Sequence, residues 1–229
     1  MRAGVGAVLT QHVTDPRLGP LALDLLARDA GAPAAMQAIL SGTPQRDWRQ
    51  LTIVDAAGRT ACFFGRKVLA AKAEVEGLDC AAIANIVRAT EVPRAMTAAF
   101  EQTYDMPIAP GLIGALRAGE AAGGELRPIT SAALIVVHTE AFADVDLRVD
   151  DHRAPVSELL RLWSIYQPQA DACVVRALAP ERARLLMQGR RTGKPLRKKS
   201  GRGHPCGNRP LIDDAEAQLR STRPSPFKG

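Results

Sequence analysis

Residues 49–65 read RQLTIVDAAGRTACFFG and contain two β-rich runs joined by a turn. The runs Arg49–Asp55 and Thr60–Gly65 are rich in Thr, Ile, Val and Phe, which fit a pleated, half-buried surface. The connection Asp55-Ala-Ala-Gly58 has the composition of a tight turn. The pattern therefore predicts a β-hairpin.

Helices and further strands are predicted on both sides of this hairpin. The small-residue apolar stretch Ala3–Gln11 predicts a buried strand, and Leu21, Leu25 and Leu26 recur at helical spacing after it. The other predicted elements are a helix that starts at Pro33, further strand within residues 66–87, helices at Thr90–Tyr104 (Thr90 as N-cap), Ile108–Ala121 and Pro155–Tyr166, and strands at Ser131–His138 and Asp144–Asp150. Paired helices between groups of strands indicate layered sheets covered by helices.

The basic charge of the chain is concentrated near its C-terminus. The 229 residues carry a formal net charge of +6, but residues 188–229 alone hold eleven basic and three acidic side chains. The rest of the chain is slightly acidic and has no general attraction for polyanions. We therefore expect a domain at residues 1–187 and a disordered Gly/Pro-rich tail at residues 188–229. Nucleic-acid binding through Arg190–Arg202 is the least favoured function class, because the tail lacks interleaved aromatic residues.

Neither metal, cofactor nor membrane binding has support in the sequence. Cys62, Cys80, Cys173 and Cys206 are widely spaced, which favours reduced thiols in a cytoplasmic protein. Gly4 and Gly6 lack the third glycine of a dinucleotide fingerprint, and no phosphate-binding loop is present. No apolar run is long enough to cross a bilayer. We expect no cofactor, no metal and no membrane association.

One stretch of the chain gathers charged side chains at the end of a predicted strand. Asp146-Leu-Arg-Val-Asp-Asp-His152 combines three carboxylates, a guanidinium and an imidazole. Alternating charges are typical of a solvated strand face, and that interpretation is favoured for Asp146 and Arg148. Asp150, Asp151 and His152 stand where strand becomes loop, so they are the better candidates for ligand contact. The histidines His12 and His138 end apolar strands and are interpreted as edge residues.

Several motifs in order resemble one bacterial family. They are residues 2–11 (RAGVGAVLTQ), 15–20 (DPRLGP), 50–59 (QLTIVDAAGR), 91–92 and 100–101, 118–124 (AGEAAGG), 131–134 (SAAL) and 146–152 (DLRVDDH). Together they span roughly residues 2–168. On these residues the chain resembles Domain of Unknown Function 1028, an uncharacterised family.

The resemblance implies an α+β fold, a four-layer αββα sandwich of the N-terminal-nucleophile hydrolase type. In active members of that superfamily, an N-terminal Thr, Ser or Cys attacks an amide carbonyl. By comparison with the family pattern, we expect that the first strand, which would carry the nucleophile, precedes Met1, and that the loops around Asn85 and before Ser131 depart from that pattern. The resemblance implies Asn85 as an oxyanion donor and Ser131, Asp150, Asp151 and His152 as binding residues.

Two functional interpretations follow. The first is an amide hydrolase-like protein that is truncated or catalytically degenerate, with a small amide as substrate. The alternative is a non-catalytic binding or structural module that forms a homo-oligomer, since an incomplete sheet leaves an open edge that favours strand pairing.

Overall fold

A computed structural model of the protein describes residues 1–68 and 71–183. These residues belong to one unit of the chain, Met1–Leu186. They form a mixed α/β structure with three small antiparallel sheets and six α-helices. The predicted tail, residues 188–229, and Cys206 within it lie outside the described residues.

The first sheet contains the predicted hairpin. Strands β1 (Gly6–His12), β2 (Arg49–Asp55) and β3 (Thr60–Phe64) pair antiparallel in the order β1-β2-β3. Side chains alternate between the two faces of a strand, so Leu51 and Ile53 share one face. That face is covered by helices α1 (Leu18–Leu26) and α2 (Ala32–Ser41). Gly6 has φ +148°, and a Cβ at this position would overlap the Val54 carbonyl oxygen of the neighbouring strand.

The second sheet lies against the other face of the first. It is the hairpin of β4 (Lys72–Gly77) and β5 (Cys80–Asn85), and β5 is the strand next to β2. Helix α3 (Val92–Glu101) packs on the far side of this hairpin, where Ala84, Val87 and Val92 form a small core. The sequence predicted strand in this region but not its bounds.

The third sheet has its own helices. Strands β6 (Ala132–Val137) and β7 (Ala143–Val149) form an antiparallel pair. Helices α4 (Ile108–Ala121) and α5 (Pro155–Tyr166) pack against it around Ile113, Leu134 and Leu159. A short helix, α6 (Ala170–Leu178), follows α5 and was not predicted.

The structure corrects one sequence prediction. Thr90 does not cap α3: the helix begins one residue later, with Glu91 at the N-cap and no side-chain cap hydrogen bond. Trp48 is 40% exposed, with Lys67 Nζ 4.5 Å from its ring centroid. The thiols of Cys62, Cys80 and Cys173 are free and half-buried.

Within residues 1–68 and 71–183, every helix is too short or too polar to cross a bilayer.

Candidate functional site

Three carboxamide side chains meet where the first and second sheets face each other. Asn85 Nδ2 donates to Gln50 Oε1 at 2.6 Å and to Gln11 Oε1 at 3.1 Å. Gln50 Nε2 donates in turn to the backbone carbonyl of Ala84 at 3.2 Å. We call Gln11, Gln50 and Asn85 the carboxamide cluster. It joins three strands that are distant in the chain.

The strand register explains why these side chains converge. Gln11 and Gln50 are directly opposite each other on β1 and β2, so both point to the same face of the first sheet. Asn85 is the last residue of β5 and is followed by Ile86, whose φ is +57°. The strand therefore ends at Asn85, beside the two glutamines.

The cluster is buried and hydrogen-bonded. Gln50 is 0% exposed, whereas Gln11 and Asn85 are half-buried at its rim. A carboxamide has two N–H donors and one carbonyl acceptor. Both donors of Asn85 are used within the cluster, whereas its Oδ1, the Nε2 of Gln11 and the second N–H of Gln50 Nε2 have no hydrogen bond among the described residues. The arrangement can recognise a group that both donates and accepts a hydrogen bond.

A second polar group lies on the helix-facing side of the same strand ends. The Asp15 carboxylate accepts from Arg17 Nε at 2.9 Å and Nη2 at 2.8 Å, and Arg49 Nη2 is 4.0 Å away. These hydrogen bonds from Arg17 lower the pKa of Asp15 to about 2. The Oγ1 of Thr10 and the Nε of Arg49 are buried without a hydrogen-bond partner among the described residues.

The candidate residues from the 146–152 stretch form a separate group. His152 N donates to the carbonyl of Thr130 at 2.8 Å, which places the turn at Asp150–His152 beside Ser131. Arg148 pairs with Asp150 at 2.6 Å, as expected for a solvated strand face. The His152 ring accepts from Ala154 N at 3.1 Å, just before α5 begins. All of these side chains except Ala154 are exposed, and no described hydrogen bond connects them to Asn85.

The loop after Asn85 and the loop before Ser131 lie side by side. Leu126 N donates to the carbonyl of Ile86 at 2.8 Å, and Arg88 N donates to the carbonyl of Gly124 at 3.0 Å. The two loops therefore form one local structure next to Asn85.

The thiol of Cys62 is held in its protonated form. Burial, assisted by the carboxylates of Glu74 and Glu76 and opposed by the hydrogen bond with Thr52, raises the pKa of Cys62 to about 11. Its sulfur lies 2.9 Å from Thr52 Oγ1. A thiol is a weak nucleophile in this state. No group of three or more metal-ligating side chains occurs within residues 1–68 and 71–183.

Of the three cluster residues, only Asn85 was a candidate beforehand, through the family resemblance and as an oxyanion donor; Gln11 and Gln50 were missed. Both glutamines lie near the ends of β-rich runs. Polar residues are common at strand ends, so their presence there does not indicate a functional site. The β1–β2 register would have placed them opposite each other.

Asp15→Asn should lower the stability of the protein at neutral pH but not at strongly acidic pH. The pKa of Asp15 is depressed in the folded state, so its ionised form stabilises the protein above the ordinary pKa of about 3.9. This contribution is lost as the pH falls through that value to about 2. Urea unfolding of both proteins between pH 7 and pH 2 measures the difference.

The matched control is Asp105→Asn, an exposed carboxylate in the loop after α3. An equal loss for Asp15→Asn at pH 7 and pH 2 would contradict the assignment of an ionised Asp15.

Comparison with known proteins gives a family without an assigned activity. No curated protein matches the chain. A crystal structure of a Silicibacter pomeroyi protein assigned to DUF1028 is 28% identical, with 71% of this chain and 70% of that chain covered and a TM-score of 0.65. The sequence profile described as "Family of unknown function (DUF1028)" matches residues 1–159, so the chain belongs to this family.

Proposed function

We propose that the protein is an N-terminal-nucleophile hydrolase-like domain that binds a small amide at the carboxamide cluster without hydrolysing it. The observation that carries the proposal is the meeting of Gln11, Gln50 and Asn85 between two sheets.

The order of the layers supports the fold type. Helices α1 and α2 cover one face of the first sheet, the β4–β5 hairpin lies on the other face, and α3 packs beyond that hairpin. This is the order of helix, sheet, sheet and helix that the αββα arrangement requires. The family resemblance points to the same arrangement.

The chemistry of the cluster supports an amide ligand. An amide presents one carbonyl acceptor and, if it is not tertiary, at least one N–H donor. Asn85 Oδ1 can accept from the ligand N–H, and Gln11 Nε2 can donate to the ligand carbonyl. The hydrogen bonds within the cluster fix both groups before the ligand arrives, which reduces the ordering cost of binding.

The protonated thiol of Cys62 supports binding without hydrolysis, because a thiol is a weak nucleophile. Cys62 is the thiol that faces the second sheet, and its pKa of about 11 keeps it protonated at neutral pH. The oxyanion role of Asn85 would need one of its N–H groups, and both donate to glutamines. Asn85 therefore serves as a ligand acceptor in this proposal. In this proposal a second, exposed set of polar side chains also contacts the ligand: Ser131, Asp150, Asp151 and His152.

A titration with N-acetylglycinamide tests the proposal. We expect saturable binding in calorimetry, no release of ammonia, and at least about tenfold weaker binding by Asn85→Ala, which loses a buried polar contact. Gln102→Ala is the matched control, because Gln102 is an exposed carboxamide at the end of α3. Hydrolysis of the probe, or equal affinity in the Asn85→Ala and Gln102→Ala proteins, would overturn the proposal.

A homo-oligomeric binding module is the second candidate, and the free edge of β1 favours it. Among the described residues, β1 pairs only with β2. It carries no Lys, Glu, Asp or Pro along Gly6–His12, and Leu9 on it is 46% exposed. An uncharged edge strand of this kind favours pairing with another strand.

Sedimentation velocity decides between monomer and oligomer. If β1 forms the contact, Leu9→Lys should shift the protein towards monomer, because a charge on an edge strand opposes pairing. Leu178→Lys, at an exposed position of α6, should leave the distribution unchanged. A monomeric wild-type protein, or an oligomer that Leu9→Lys does not affect, would exclude this candidate.

A further inference from the structure

A groove lies along helix α1, where it meets α2 and the turn that follows α2. Its volume is about 520 Å³, which is within the range of pockets that bind small molecules. Its wall includes Leu18, Leu21, Leu25 and Ile39. It has no residue in common with the carboxamide cluster.

The apolar wall comes from one stripe of α1. Leu18, Leu21 and Leu25 are spaced at i, i+3 and i+7, so they share a face of the helix. Leu18 is buried, but Leu21 is 53% exposed in the open part of the groove. Leu21 lies on the stripe between the buried Leu18 and the half-buried Leu25, and its exposed side chain gives a ligand apolar surface to cover.

One of the charged side chains that line the groove has no ion pair. Asp15 is paired with Arg17 at 2.8 Å, and Asp24 is paired with Arg2 at 2.8 Å. Arg28, two residues beyond the end of α1, also lines the groove and has no ion pair among the described residues. Its guanidinium is therefore the charged group that an anionic ligand in the groove would pair with.

We propose that this groove binds an aliphatic carboxylate of medium chain length. The alkyl chain lies along Leu18, Leu21 and Leu25, and the carboxylate pairs with Arg28. Arg28 lies in the turn that follows α1, three residues after Leu25, so the charged group is beyond the C-terminal end of the apolar stripe. Apolar burial supplies most of the affinity, and the ion pair orients the ligand.

Octanoate and 1-octanol are the probes, because they share an alkyl chain and differ in charge. We expect calorimetry to show saturable binding of octanoate to the full chain, with 1-octanol about two- to fivefold weaker, as an exposed ion pair allows. Arg28→Gln should reduce octanoate affinity to that of 1-octanol. Leu21→Gln should weaken the binding of both probes. Arg94 is an exposed arginine on α3, and Arg94→Gln should leave the affinity for both probes unchanged.

Two results would overturn the proposal. One is equal octanoate affinity in Arg28→Gln and Arg94→Gln, which would mean that the carboxylate has no partner in the groove. The other is concentration-dependent dimerisation that Leu21→Gln abolishes, which would mean that a second copy covers the groove. Neither result depends on amide binding, which uses Asn85 and a different probe.

Discussion

The hydrogen bond between Gln50 and Asn85 is the interaction on which the described structure depends most. Gln50 is fully buried, and a buried carboxamide without partners would cost about 1–3 kcal/mol. Its Oε1 accepts from Asn85 and its Nε2 donates to the Ala84 carbonyl, so both partners belong to the end of β5. These directional bonds fix where the second sheet lies against the first, which apolar contact alone would specify less well.

The first sheet is polar on both of its faces at one end, where β1 ends and β2 begins. The carboxamide cluster is on the side of the second sheet, and Asp15, Arg17 and Arg49 are on the side of the helices. Away from this end, the helix-facing side is an ordinary apolar core built on Leu51 and Ile53. The groove along α1 has its own apolar wall and does not need the carboxamide cluster.

The sequence predicted those elements whose signals are local. The hairpin at residues 49–65 was found because its turn residues and its β-rich runs are adjacent, and α4 and α5 have the predicted bounds. Helix α6 was missed because none of its residues is buried, so it lacks the core-facing apolar positions that identified α1, a helix of equal length. Thr90 fits the composition of an N-cap, but the helix starts beyond it, a displacement that composition does not encode. The prediction of a four-layer sandwich rested on family resemblance and stays a proposal.

The candidate site was harder to predict because it depends on long-range pairing. Gln11, Gln50 and Asn85 are far apart in the chain, and only the β1–β2 register and the position of β5 bring them together. The residues at 150–152 gave the stronger sequence signal, because they are contiguous. In the structure, two of these residues interact with close neighbours in the chain. The His152 ring accepts a hydrogen bond from Ala154 N just before α5, and Asp150 forms an ion pair with Arg148.

A double-mutant cycle of Gln50→Leu and Asn85→Leu tests the central claim most directly. The free energy of unfolding of the two single variants, the double variant and the wild-type protein would be measured in urea. If the two side chains are partners, the coupling energy should be at least about 1 kcal/mol, because the first substitution already removes the bond that the second would break. Gln37→Leu, on an exposed face of α2, combined with Asn85→Leu is the control pair and should be additive. Additivity of the Gln50 and Asn85 substitutions within about 0.5 kcal/mol would contradict the account.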